Sequence, residues 1–175
     1  MITIYDDVVT NNEHVEKIAK AIWNCTDYQI GTSDSKNWDT AIFVGTFKHR
    51  PDVADLLWSY VAPYCNGATP KKTYINAHPS GLPGSWHRDD REPMMTALYY
   101  PKMGSLWPPA NYGREGGLEI KDYGVIPYKD NCLVMFPAHI VHRCLVHERH
   151  GKIRFSVAHK LGEAKGCKDE VKMGQ

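Results

Sequence analysis

From Lys72 onward the sequence breaks into short runs rich in Tyr, Ile, Val and Phe, separated by Gly, Pro and Asp. Tyr74 to Ala77, Met95 to Tyr100, Gly116 to Ile120, Asn131 to Pro137 and Arg154 to Ala158 are each of strand length and too short for a packed helix. Such a succession predicts antiparallel strands that close into a double-sheet barrel. The N-terminal third follows another period. Val15, Ile18, Ala19 and Ile22 recur at helical spacing, so an amphipathic helix is expected from about Asn12 to Trp23, capped by Asn11 or Asn12. A second helix should begin at Pro51-Asp52 and carry Val53, Leu56, Leu57, Tyr60 and Val61 on one face. Both would pack on the outer face of the sheet. The expectation is a mainly β fold with flanking α-helices in a single domain over residues 1–161. Helical support would occupy about 10–64 and the barrel core about 72–161, before a polar tail at 162–175.

Within the barrel region the chemistry centres on His87-Arg88-Asp89. On a strand, residues i and i+2 share a face, so His87 and Asp89 would offer an imidazole and a carboxylate to one ion while Arg88 faced the other way. A second strand bearing His142 would complete a 2-His-1-carboxylate facial triad, a set suited to Fe(II) with coordination positions left open. His139 is the rival to His142. The remaining histidines, His14, His49, His147, His150 and His159, read as ordinary helix, turn or strand residues, and His78 is taken up below. Arg154 offers a planar guanidinium able to hold a carboxylate through two parallel hydrogen bonds, and Ser156 shares its strand face.

Taken in order, Tyr74 to Gly81, His87-Arg88-Asp89, Ala97-Leu98-Tyr99-Tyr100, Gly116-Gly117, Asn131 to Pro137, His142 and Arg154 resemble the Fe(II)/2-oxoglutarate-dependent dioxygenases. The match is nearest to their prolyl 4-hydroxylase-like branch and covers about residues 72–161. The resemblance implies a double-stranded β-helix, a jelly-roll or cupin-like barrel, with His87, Asp89 and His142 as iron ligands. It also implies that Arg154 and the Tyr100 phenol reach the distal carboxylate of 2-oxoglutarate, with Ser156 as a further donor. There are departures. Several relatives place a tyrosine where this chain has His78, with Asn76 on the same face, so either residue would meet the keto-acid end of the cosubstrate or the substrate. The spacing of twelve between His142 and Arg154 is long, which points to an extended hairpin from His147 to Gly151.

The resemblance further implies Fe(II), 2-oxoglutarate as cosubstrate and O2, with ascorbate as a stimulant and succinate and carbon dioxide as coproducts. A prolyl residue in a peptide or protein is the leading substrate; a nucleobase, a free amino acid or a small metabolite is the alternative. A non-catalytic cupin-like ligand-binding module is the reading from another class. The loop from Pro101 to Arg114, with Trp107, Pro108, Pro109 and Tyr112, and a lid from Thr26 to Trp38 are candidate substrate contacts.

A formal net charge of +1 gives no global attraction to nucleic acid or to an anionic membrane, so nucleic acid is not the favoured partner. No apolar run approaches transmembrane length, and Met1 to Asp7 lacks the form of a signal peptide, so a cytoplasmic protein is expected. Five cysteines without C-x-x-C spacing suggest neither a disulfide framework nor a zinc site.

Overall fold

The computed structural model describes residues 1–31, 42–90, 94–104, 113–147 and 152–162. Most of the expected lid, the loop residues Trp107, Pro108, Pro109 and Tyr112, the tip of the hairpin after His147 and the tail beyond Gly162 lie outside the described residues.

Among the described residues, ten strands form two sheets. In chain order they are β1 (Thr3–Tyr5), β2 (Gln29–Gly31), β3 (Ile42–Gly45), β4 (Pro70–Pro79), β5 (Met95–Tyr100), β6 (Gly113–Ile120), β7 (Gly124–Tyr128), β8 (Cys132–Pro137), β9 (His142–Cys144) and β10 (Ile153–Leu161). The larger sheet has the order β1-β8-β5-β10-β4-β3-β2, and the smaller has β7-β6-β9. Every pairing is antiparallel. The strands therefore make the expected double-sheet barrel.

Two helices cover the outer face of the larger sheet. Helix α1 (Asn12–Trp23) starts where Asn11 Oδ1 accepts hydrogen bonds from the backbone N–H groups of Glu13 and His14, at 2.8 and 3.3 Å. Helix α2 (Pro51–Val61) opens on Pro51, whose missing N–H costs nothing in a first turn. Their buried faces, Val15, Ile18, Ala19 and Ile22 with Val53, Leu57 and Val61, pack on Ile75, Ala77, Ala97, Tyr99, Leu133, Met135, Phe155, Val157 and Leu161. Alternation sends the intervening residues of the same strands inward, where Leu98, Tyr100, Val134, Phe136 and Ala158 meet Leu118, Ile120, Ile126 and Tyr128 of the smaller sheet. The sheet thus has an apolar face on both sides, and the inner one leads to the polar cavity. No helix among the described residues is long and apolar enough to cross a membrane.

His159 sits on the helix side of β10, buried, with Nδ1 2.9 Å from Thr73 Oγ1 and its ring against Trp58. Burial pushes its pKa down from the usual 6.5 to about 4. The native state then stays unprotonated at His159 while the unfolded chain takes up a proton, so stability falls as pH drops from 6.5 towards 4 and levels off below. The shift corresponds to about 3 kcal/mol. Urea unfolding across this window should show that loss in the wild-type chain and a shallower slope in His159→Phe; equal slopes would refute it.

Candidate active site

The H-x-D segment departs from the expectation that it lies on a strand. Among the described residues its ladder contact is one isolated bridge to β9, in which the His87 and His142 backbones exchange two hydrogen bonds of 3.0 Å, and Asp89 sits at a bend. The N–H groups of Asp89 and Asp90 then both donate to the Ala138 carbonyl, at 2.9 and 3.1 Å. These few backbone bonds do the work of a strand and hold His87 beside His142, ring centroids 4.4 Å apart.

The side chains converge. One ligand atom from each of His87, Asp89 and His142 lies within 4.8 Å of the others. His87 Nδ1 is 2.8 Å from the Ser85 carbonyl and His142 Nδ1 is 3.0 Å from the Ile140 carbonyl. A carbonyl oxygen can only accept, so each Nδ1 carries the proton and each Nε2 of the neutral ring presents a lone pair. Both Nε2 atoms face Asp89 Oδ1, at 3.7 and 3.6 Å. Burial holds His142 neutral, its pKa lowered to about 4 against the opposing pull of Asp89. The other carboxylate oxygen is already occupied: Thr96 Oγ1 donates to Asp89 Oδ2 at 2.6 Å, and Lys160 Nζ pairs with the same atom. Burial pushes the Asp89 carboxyl up, but Lys160 and His142 outweigh it, with hydrogen bonds from Lys160 and Thr96 adding to them, and hold it below its ordinary range. Asp89 is therefore an anion with one free oxygen aimed between two imidazole lone pairs. That donor set fits a divalent transition metal such as Fe(II), with the outer partners already fixing tautomer and orientation. Thr96→Val should weaken Fe(II) binding by about 10-fold, the low end for losing such a partner. Metal titration of the variant would check this.

His139 is exposed and lies outside the cluster. Arg88 does not simply face away, since it lines the rim of the cavity beside the cluster. That cavity has a volume of about 410 Å³ and is also lined by Asn76, His78, Cys144, Ser156 and Lys160. His78 is buried, and desolvation with the neighbouring Arg154 pushes its pKa well down. Its Nδ1 and the Asn76 Oδ1 are buried without a hydrogen-bond partner.

Arg154 and Tyr100 lie behind the cavity wall rather than in it. The Arg154 guanidinium donates from Nη1 to the Gly116 carbonyl at 2.6 Å and from Nη2 to Cys144 Sγ, and it stands 5.7 Å from the Tyr100 ring centroid. Its Nε and the Tyr100 hydroxyl are buried and make no hydrogen bond of ordinary geometry. Burial raises the Tyr100 pKa and Arg154 opposes that rise. A buried guanidinium with an unused Nε–H beside a buried phenol fits a carboxylate, which is what the distal end of 2-oxoglutarate would bring. Cys144 covers Nη2, so a carboxylate that also took that edge of the guanidinium would have to displace it.

Sequence reasoning missed Cys144 and Lys160. Lys160 was readable in principle, because Arg154, Ser156, Ala158 and Lys160 alternate onto the inward face of β10. Cys144 was not, because its contact depends on how the two sheets close. His147 is also more than a turn residue: it is buried, with Nε2 3.0 Å from the His78 carbonyl. Cys25, Cys65, Cys132 and Cys144 are all free thiols.

The two sheets, the helices outside the larger one and the triad at the open end define the fold of the 2-oxoglutarate–Fe(II) oxygenases, a double-stranded β-helix of the prolyl hydroxylase-like kind. A prolyl hydroxylase from Trichoplax adhaerens, in complex with a hypoxia inducible factor oxygen degradation domain peptide fragment, superposes with a TM-score of 0.67 at 16% identity, over 94% of this chain and 84% of that one. A prolyl-4-hydroxylase from Pseudomonas putida gives 0.66 at 15% identity, over 91% of each chain. The non-heme alpha ketoglutarate dependent epimerase SnoN from nogalamycin biosynthesis gives 0.67 at 12% identity, over 99% of this chain and 86% of that one. No family model matches the sequence, and no curated protein matches it.

Proposed function

We propose that this chain is an Fe(II)- and 2-oxoglutarate-dependent dioxygenase that hydroxylates a C–H bond, with a prolyl residue in a peptide as the leading substrate. The observation that carries the reading is the convergence of two imidazole lone pairs on the one unengaged oxygen of Asp89. His87, Asp89 and His142 would hold the metal. When bound, Fe(II) with 2-oxoglutarate and O2 would supply the oxidising power for C–H hydroxylation, giving succinate and carbon dioxide. Arg154 and Tyr100 would bind the distal carboxylate, and Ser156, Asn76 and His78 line the path towards it. Phe136 and Leu98 form apolar wall beside the triad.

A peptide substrate is supported by the peptide-bound Trichoplax neighbour, while the SnoN neighbour is a reminder that one fold serves several substrates. The test is succinate formation by the anaerobically purified chain given Fe(II), 2-oxoglutarate, ascorbate and O2, with and without proline-rich peptides. Succinate that rises with a peptide gaining one oxygen is the expected result. Succinate without peptide stimulation would reject the prolyl substrate. Bound iron with no turnover under any condition would favour a ligand-binding module.

A further inference from the structure

The cavity is charged on one side in a way that the metal and 2-oxoglutarate do not use up. Among its described lining residues there are three cations, Lys72, Arg88 and Lys160, against one carboxylate, Asp89. Lys160 and Lys72 lie on neighbouring strands in register, β10 and β4, and both ammonium groups approach the Tyr74 ring, at 5.5 and 5.3 Å from its centroid. Lys160 is largely buried, and its Nζ rests on the outer oxygen of Asp89. Asp89 cannot balance these cations once its other oxygen serves a divalent ion. Asp90 acts on Lys160 from outside the lining.

Lys160 is paired with Asp89, but that single carboxylate faces two ammonium groups and a divalent ion, so the pair over the Tyr74 ring leaves net positive charge turned to the cavity. On that ground, and resting on the dioxygenase reading for the place of the target carbon, we infer that Lys160 and Lys72 receive a carboxylate of the primary substrate over the Tyr74 ring. Because Lys160 touches the side chain of Asp89, a carboxylate held there fixes a carbon only a few bonds away next to the metal position. The substrate is therefore an acidic one. Its carboxylate belongs either to a free amino acid or to an acidic side chain beside the target residue of a peptide.

The test is calorimetric titration of the full chain, metal-free and Zn(II)-loaded, with two ligand pairs. L-Proline is compared with L-prolinamide, and acetyl-Pro-Glu-amide with acetyl-Pro-Gln-amide. The carboxylate member of at least one pair should bind about 10-fold or more tighter, the range for a charge-assisted contact, and the pair that responds identifies the source. Lys72→Met, on the exposed rim, and Lys160→Met should each remove most of that advantage. Lys71→Met, a neighbouring exposed lysine outside the cavity, should keep it. Equal binding within both pairs, no binding by either acid, or an advantage that survives in Lys72→Met and Lys160→Met would overturn the inference. Because these titrations need no turnover, an absence of succinate in the wild type counts against the dioxygenase reading alone.

Discussion

Replacing His142 by Ala is expected to abolish iron-dependent succinate formation and to lower Fe(II) affinity by more than about 100-fold, beyond the range for losing an outer partner of a ligand. His142 gives a neutral Nε2 that faces Asp89 Oδ1, and among the described residues the ligand cluster holds no imidazole besides His87 and His142. Asp89→Ala should be equally inactive for a different reason: it removes the only anion of the triad and leaves Lys160 buried without its counter-charge. Thermal unfolding separates the two variants. His142→Ala loses a neutral ring, whereas Asp89→Ala should be the less stable protein. Succinate production at the wild-type rate in His142→Ala would remove His142 from the triad and turn attention to His139.

The second large effect belongs to Arg154. Its side chain is about as buried as any in the protein, at 1% exposure, and its guanidinium is already partly engaged by Gly116 and Cys144. Arg154→Ala should raise the KM for 2-oxoglutarate by about 10- to 100-fold, the worth of a charge-assisted carboxylate pair, while leaving Fe(II) binding in place. It should also destabilise the fold by about 1–3 kcal/mol, because the buried Gly116 carbonyl loses its donor. Arg154→Lys separates binding from folding: it keeps the charge but not the fork, so KM should rise less than in the alanine variant. Cys144→Ala tests the occluded geometry directly. Removing the thiol that caps the guanidinium should lower the KM for 2-oxoglutarate severalfold. An unchanged KM in both Arg154→Ala and Cys144→Ala would place the cosubstrate carboxylate elsewhere.

The periodicities carried a large part of this structure. The i, i+3, i+4 spacing of Val15, Ile18, Ala19 and Ile22 marked α1, and Pro51 marked the start of α2, because helical geometry is written in local order. Strand alternation likewise put Thr96, Leu98 and Tyr100 of β5 on one face and Arg154 and Ser156 of β10 on one face, and pairing of the two strands makes these the same inward face of the larger sheet. The three triad residues were legible because their chemical types and order are few and specific.

Tertiary structure decided what depends on contacts between distant segments. Whether His87 and Asp89 needed a strand was settled by two backbone bonds to His142 and two to Ala138, which hold an irregular segment in place. The choice between His139 and His142 turned on which ring reached Asp89 across the sheets. Cys144 over Arg154 follows from how β9 comes over β10, and Lys160 with Thr96, register partners on β10 and β5, meet the far oxygen of Asp89 because the backbone bonds to Ala138 bring that remote segment to them; no local pattern encodes either contact. Local sequence determined which residues could face the cavity; the closure of the barrel determined which of them touch, because those contacts join residues remote in the chain whose spacing is set by packing alone.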